Sequence, residues 1–124
     1  MRDAHAAETA EDYVEAIAQA IASTGVCRVC DLAKRFGVSH VTVSRTVGRL
    51  VRDELAVTRP YKPIELTPKG HRLASAARRR HEIVVRFLLA LGLDATTAEL
   101  DAEGIEHHVS PKTLRLFEKF AQEA

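Results

Sequence analysis

A mostly α-helical chain, with a winged helix-turn-helix followed by an all-helical unit, is what this sequence predicts, and three observations carry the prediction. Apolar residues recur at helical spacing in successive stretches from Glu8 to the C-terminal end. A short helix, a glycine turn and a serine-capped second helix follow one another between Cys30 and Asp53. Strand-like alternation comes directly after that pair, where a wing would sit.

At 124 residues and 46% hydrophobic composition, the chain suits one small domain or two very small ones sharing a core. It is too short for a typical enzyme with a separate lid. The long apolar run from Ile83 to Leu93 is interrupted by Arg86, so no membrane span is expected. Met1-Arg2-Asp3-Ala4-His5 leads straight into a charged stretch, without the apolar run of a signal peptide. The chain reads as cytoplasmic, with no membrane partner.

The net charge of +1 conceals a sharp division. Between Lys34 and Lys62 there are seven cations (Lys34, Arg35, Arg45, Arg49, Arg52, Arg59, Lys62) against Asp53 and Glu54. Between Phe87 and Pro111 there is no Lys or Arg, against Asp94, Glu99, Asp101, Glu103 and Glu106. One region should attract a polyanion and the other a cation.

In chain order, the first helix is expected over Glu8 to Ser23, with Ala10, Tyr13, Val14, Ile17 and Ile21 as its apolar stripe and Gly25 just past its end. Glu8, Glu11, Asp12 and Glu15 make the opposite side acidic, which the helix dipole favours by itself. Cys27 and Cys30 form an isolated CxxC with no second pair or HxxxH at finger spacing, so a structural zinc site lacks ligands. Cys30 falls where a helix N-cap is expected and reads as a serine substitute.

The next helix, Cys30 to Phe36, carries Leu32, Ala33 and Phe36 on its apolar side and stops at Gly37. Ser39 then caps a helix running to about Asp53, with Val43, Val47 and Leu50 inward. This is a helix-turn-helix, whose second helix would enter a major groove of double-stranded DNA. Beside Ser39, its outward residues are His40, Val41, Thr42, Ser44, Arg45 and Arg49. Hydroxyls suit base edges, Val41 and the Thr42 methyl suit a thymine methyl, and Arg45 suits guanine or phosphate. Strands are expected at Ala56 to Arg59 and Pro63 to Leu66, with Arg59 and Lys62 placed for phosphates.

Thr67 caps a long helix reaching about Leu91, with the stripe Leu73, Ala77, Val84, Leu88 and Leu91 and with Phe87 beside it. His81 falls inside that stripe, either as a hydrogen-bonded core residue or as a ligand. Arg78, Arg79 and Arg80 fit a solvated face, a phosphate contact or a counter-charge for the acidic run near residue 103 equally well. Two shorter helices follow, about Ala95 to His107 (Ala98, Ala102 and Ile105 inward) and Pro111 to Gln122 (Leu114, Phe117 and Phe120 or Ala121 inward). Their stripes exceed what so short a segment buries on itself, which points to a homodimer and hence to a palindromic operator.

The acidic run Asp101-Ala102-Glu103-Gly104-Ile105-Glu106-His107-His108 is the least ordinary stretch. On a helix, Glu103, Glu106 and His107 stand at i, i+3 and i+4 and share one face. Either this is a solvated acidic face or a divalent cation balances it.

Together with Glu11-Asp12-Tyr13-Val14-Glu15 and Arg80-His81-Glu82, that run makes the sequence resemble the manganese transport regulators of the diphtheria-toxin-repressor family over nearly its whole length. The resemblance implies metal-ligand roles for Asp12, Glu15, His81, Glu103, Glu106 and His107. It arranges them as a two-ion site, with Asp12, Glu103, Glu106 and His107 around one ion and Glu15, His81, Glu103 and Glu106 around the other. His5 and His108 receive no role, Cys27 and Cys30 fall outside the pattern, and the chain resembles the short form without an SH3-like domain. The expected organisation is a DNA-binding domain over residues 1–66 and an all-helical metal-binding and dimerisation domain over residues 67–124.

Four carboxylates and two imidazoles form a hard donor set, suited to Mn²⁺, with Fe²⁺ the alternative. Asp12, where iron-responsive relatives carry methionine, tilts the choice to manganese. The function expected is a Mn²⁺-dependent repressor of manganese uptake genes, with bound metal holding the dimer in a DNA-binding geometry; a winged-helix regulator indifferent to metal is the alternative. An enzyme is not expected: a di-metal carboxylate enzyme would show two Glu-x-x-His motifs on separate helices, and no small-molecule substrate site is apparent.

Overall fold

The computed structural model describes residues 2–124, with side chains from Ala6 onward, so the His5 side chain lies outside the described residues. Among the described residues the order is α1 (Arg2–Thr24), α2 (Val29–Phe36), α3 (His40–Arg52), β1 (Ala56–Val57), β2 (Glu65–Leu66), α4 (Pro68–Ala90), α5 (Ala95–Ile105), a 3₁₀ turn (Glu106–His108) and α6 (Pro111–Glu123). The chain is mostly helical, as its periodicity predicts. Packing divides it into two units, one ending at Ser75 and one beginning at Ala76, with α4 contributing to both. No single helix among the described residues is long and apolar enough to cross a membrane.

The first unit is built on the α1 stripe. Val14 and Ile17 are fully buried and meet Leu32 of α2, Val43, Val47 and Leu50 of α3, and Leu55, Ala56, Ile64 and Leu66 of the wing. Truncating any of the larger of these to alanine would cost about 2–5 kcal/mol. Tyr13 stacks on Phe36 with ring centroids 4.5 Å apart, which ties α1 to the end of α2. The turn between α2 and α3 depends on Gly37, whose φ of 64° is a left-handed conformation that glycine adopts without Cβ strain. The Ser39 side chain then accepts the Thr42 backbone N–H at 3.1 Å, so α3 starts where a serine cap is expected.

Several boundaries differ from the expected ones. Helix α2 begins at Val29 with Arg28, not Cys30, as its N-cap. The Arg28 backbone N–H donates to the Asp31 carboxylate at 2.9 Å, so Asp31 supplies the capping oxygen. Cys27 is fully buried in the core and its carbonyl accepts the Ile64 N–H at 2.8 Å. Burial, with Asp31 nearby, pushes its thiol up to about 11. The strands are only two residues each, pairing antiparallel with Ala56 opposite Leu66 and Val57 opposite Glu65. Pro60 and Pro63 lack the N–H a longer ladder needs, and the intervening Tyr61 has a φ of 61°.

Thr67 starts α4 as expected: its hydroxyl accepts the Gly70 N–H at 3.0 Å and donates to the Glu54 carbonyl at 2.6 Å. In the second unit, Val84 and Leu88 of α4 pack with Ala98 and Ala102 of α5, and Phe87 stacks on Phe117 of α6 at 3.9 Å. Arg78 pairs with Glu82 at 3.0 Å and Arg79 with Glu118 at 2.9 Å, both partners lying outside the acidic run at residues 101–108. Helix α4 stops at Ala90, and Leu91, expected on the inward stripe, is 56% exposed. Beyond it Gly92 takes a φ of 106°. Helix α6 buries no residue completely, and its Phe120 is 46% exposed.

Candidate metal centre and nucleic-acid interface

The expectation of one α-helix through His107 is corrected by the fold. Helix α5 ends at Ile105 and the chain tightens into a 3₁₀ turn over Glu106–His108, a common way for a helix to finish. Glu106, which still has α-helical dihedrals and donates its N–H to the Ala102 carbonyl, is buried at 4% exposure, while Glu103 one turn earlier is exposed. Glu103 and Glu106 therefore do not project alike from one helix face into solvent.

In the second unit Glu106 lies between two imidazoles. Its Oε2 is 2.8 Å from His81 Nδ1 of α4, and its Oε1 is 3.6 Å from His107 Nε2. The other ring nitrogen of His81, Nε2, is 2.8 Å from Oε2 of Glu99 on α5. With both nitrogens protonated, His81 donates to a carboxylate on each side. It is thus a hydrogen-bonded residue and, simultaneously, one held against the acidic run.

The electrostatics follow from this geometry. Burial raises the Glu106 carboxyl, to about 7 from an ordinary 4.5, against the opposing pull of His81 and with Glu103 adding to the rise. Burial works against charge on His81, but hydrogen bonding to Glu99 and the field of Glu106 outweigh it and raise the ring above 6.5. A buried carboxylate that retains a proton this far up the pH scale, faced by two imidazoles, is a site whose charge balance a divalent cation would satisfy. The donors are carboxylate oxygen and imidazole nitrogen only, which fits a hard or borderline divalent ion.

Of the six predicted ligands, this unit brings His81, Glu106 and His107 together and sets Glu103 one turn before Glu106 on α5. Asp12 and Glu15 lie in the first unit on α1, both half-buried, with Glu15 Oε1 accepting the Gln19 side-chain N–H at 3.3 Å. Glu99 is the residue the sequence reading missed. It stands four before Glu103 and seven before Glu106, a helical spacing that could have placed it on the same face.

The predicted DNA-contacting residues are all in the first unit. Ser39, His40, Val41, Thr42, Ser44, Arg45 and Arg49 are exposed on or at the start of α3, whose other side buries Val43, Thr46, Val47 and Leu50. Val41 is 66% exposed on this face. Arg59 and Lys62 are exposed in the wing turn, where the Lys62 N–H donates to the Arg59 carbonyl at 3.1 Å.

A winged helix-turn-helix whose α3 presents a polar, basic outer face, joined to a helical unit that gathers carboxylates and imidazoles, defines a metal-responsive DNA-binding protein. Residues 5–64 match the family described as iron dependent repressor, N-terminal DNA binding domain, and residues 67–123 match iron dependent repressor, metal binding and dimerisation domain. The chain belongs to this family of metal-dependent DNA-binding transcriptional regulators, the diphtheria-toxin-repressor family. It is 44% identical to the transcriptional regulator MntR of Salmonella typhimurium over 99% of its length and 78% of that protein. With the HTH-type transcriptional regulator MntR of Lysinibacillus sphaericus it shares 39% identity over 81% of its length and 72% of the relative. Among solved structures it is similar to a manganese-dependent transcriptional repressor in complex with manganese, at 30% identity, a TM-score of 0.82, and coverage of 93% of this chain and 53% of that one. It is also similar to the manganese regulator SloR, at 28% identity, a TM-score of 0.80, and coverage of 93% and 54%. The chain thus spans about half the length of those solved chains. Family membership brings a divalent metal cofactor, DNA as a partner and self-association as a dimer.

Proposed function

We propose that the chain is a Mn²⁺-responsive repressor of manganese uptake genes, acting as a homodimer on a palindromic operator. The observation that carries this reading is the buried Glu106 carboxylate held between His81 and His107. Asp12, Glu15, His81, Glu103, Glu106 and His107 are the proposed ligands, for two ions per subunit. The hard donor set and Asp12 in place of a soft methionine favour Mn²⁺, and the names of the relatives agree. Fe²⁺ is the second candidate, since the same donors suit it and the matching family is described as iron dependent.

The functional boundary is placed at Thr67, giving a DNA-binding domain over residues 1–66 and a metal-binding and dimerisation domain over residues 67–124. Ser39, His40, Val41, Thr42, Ser44, Arg45 and Arg49 read or border the major groove, and Arg59 and Lys62 grip phosphate. Exposed Leu100, Leu116 and Phe120, at 69%, 61% and 46%, support burial against a second copy. Asp12 and Glu15 come from α1, which builds the DNA-binding core, whereas Glu103, Glu106 and His107 come from the other unit. A shared ion would couple the two, holding the reading helices of a dimer near the ~34 Å separation of successive major grooves. Such coupling between metal and operator typically amounts to roughly 1–3 kcal/mol.

The test starts from a pool of random duplexes, from which the full chain selects binders in Mn²⁺, followed by anaerobic titrations of the selected duplex with Mn²⁺, Fe²⁺, Co²⁺ and Zn²⁺. Tight binding that chelator abolishes and Mn²⁺ restores is expected. Affinity unmoved by chelator would refute the reading.

A further inference from the structure

We propose that Glu99, outside the six-ligand set, is a positioning residue: it keeps the Nε2–H of His81 on its own carboxylate and so leaves Nδ1 as the ring nitrogen that takes a metal ion. This rests on the metal reading given above. The ring of His81 has a carboxylate oxygen 2.8 Å from each nitrogen. The two sides are unlike. Beyond Nδ1 lies Glu106, buried at 4% exposure, whose second oxygen faces His107 at 3.6 Å, so donors converge there. Beyond Nε2 lies Glu99, whose side chain is 59% exposed.

A neutral imidazole carries one N–H and offers one lone pair, and the hydrogen bond on one nitrogen decides which lone pair is free. For His81 to ligate through Nδ1, the proton now between Nδ1 and Glu106 must leave to solvent while Nε2 keeps its own. Glu99 Oε2 is already at the acceptor position for that retained proton. A carboxylate accepting from the distal N–H also makes the ligating nitrogen a stronger donor, and losing such a partner typically weakens metal binding about 10- to 100-fold. Glu99 and Glu103 are one turn apart on α5, so the helix that supplies a proposed ligand also supplies the residue that orients another.

The experiment compares the full chain with Glu99→Ala and Glu99→Gln. Exposure of Glu99 makes both substitutions compatible with folding, which circular dichroism checks. Mn²⁺ affinity is read from loss of the free-ion electron paramagnetic resonance signal. A drop of about 10- to 100-fold is expected for the alanine variant. For Glu99→Gln, whose amide oxygen still accepts the Nε2–H, a change within roughly threefold is expected. With ¹⁵N-labelled histidine and Cd²⁺ as a diamagnetic probe, His81 should show a ligated Nδ1 and a protonated Nε2. Ligation through Nε2, unchanged affinity in Glu99→Ala, or equal losses in both variants would overturn the inference, equal losses marking Glu99 as a direct or purely charge-based contributor. Failure of the unaltered chain to take up Mn²⁺ would instead overturn the metal reading on which it rests.

Discussion

Raising the pH of the metal-free protein should destabilise it, and Glu106 sets the size of the effect. Its carboxyl titrates near 4.5 when unfolded and about 7 when folded, because burial disfavours the charge. Across that window the folded chain holds a proton the unfolded chain has released, so stability falls as pH rises. At about 1.36 kcal/mol per pH unit of displacement, the loss is about 3 kcal/mol. His81 acts in the same sense, since a ring raised above 6.5 contributes stability that is complete below 6.5 and disappears as pH climbs past the raised value. Urea unfolding in chelator at pH 5 and pH 8, followed by circular dichroism, reads this as a midpoint lower by about 1–2 M at pH 8. Glu106→Gln is neutral throughout, so its slope against pH should be shallower by the Glu106 share and by the part of the His81 share that the Glu106 charge supplies. Equal slopes in the two proteins would refute the assignment.

Two further outcomes test the first unit. A Cβ on Gly70 would overlap the Leu55 carbonyl oxygen, and that backbone cannot yield without disturbing the wing, so Gly70→Ala should destabilise by at least about 1–3 kcal/mol in a urea melt. On the proposed DNA contacts, Lys62→Ala should reduce the slope of log affinity against log salt by about one without changing sequence preference, whereas Arg45→Ala should relax preference at one position of the selected duplex.

Helix α3 was legible because its signals are local: Gly37 at a left-handed turn, Ser39 capping the third residue on, and inward Val43, Val47 and Leu50 at helical spacing. The long helix and both later helices were legible for the same reason. What sequence periodicity could not convey is how a helix ends under tertiary demand. The i, i+3, i+4 spacing puts Glu103 and Glu106 near one face, yet packing against His81 buries Glu106 while Glu103 stays exposed. Glu99 was visible as one acidic residue among several, but its partner His81 is 18 residues away, and such pairing is decided by packing of α4 on α5. Cys30 looked like a cap by position, whereas the Asp31 carboxylate one residue on supplies the oxygen.

The site's chemistry bears on the proposed function in one more way. In the metal-free unit His81 and Glu106 hold protons at the atoms an ion would use, so uptake must release them. Competition of this kind makes apparent affinity fall as pH drops below about 7, the value to which Glu106 is pushed. For each proton displaced, the loss approaches tenfold per pH unit once the pH lies below the group's own titration point. The same burial that makes Glu106 reluctant to ionise alone is therefore what gives an ion something to repair, linking metal occupancy to the stability of the unit that carries the dimer surface. Isothermal titration with Mn²⁺ in buffers of different ionisation enthalpy would count the protons released. More than zero and up to two from this pair per subunit is the expected count, and none would show that Glu106 is already ionised and His81 already neutral when metal arrives.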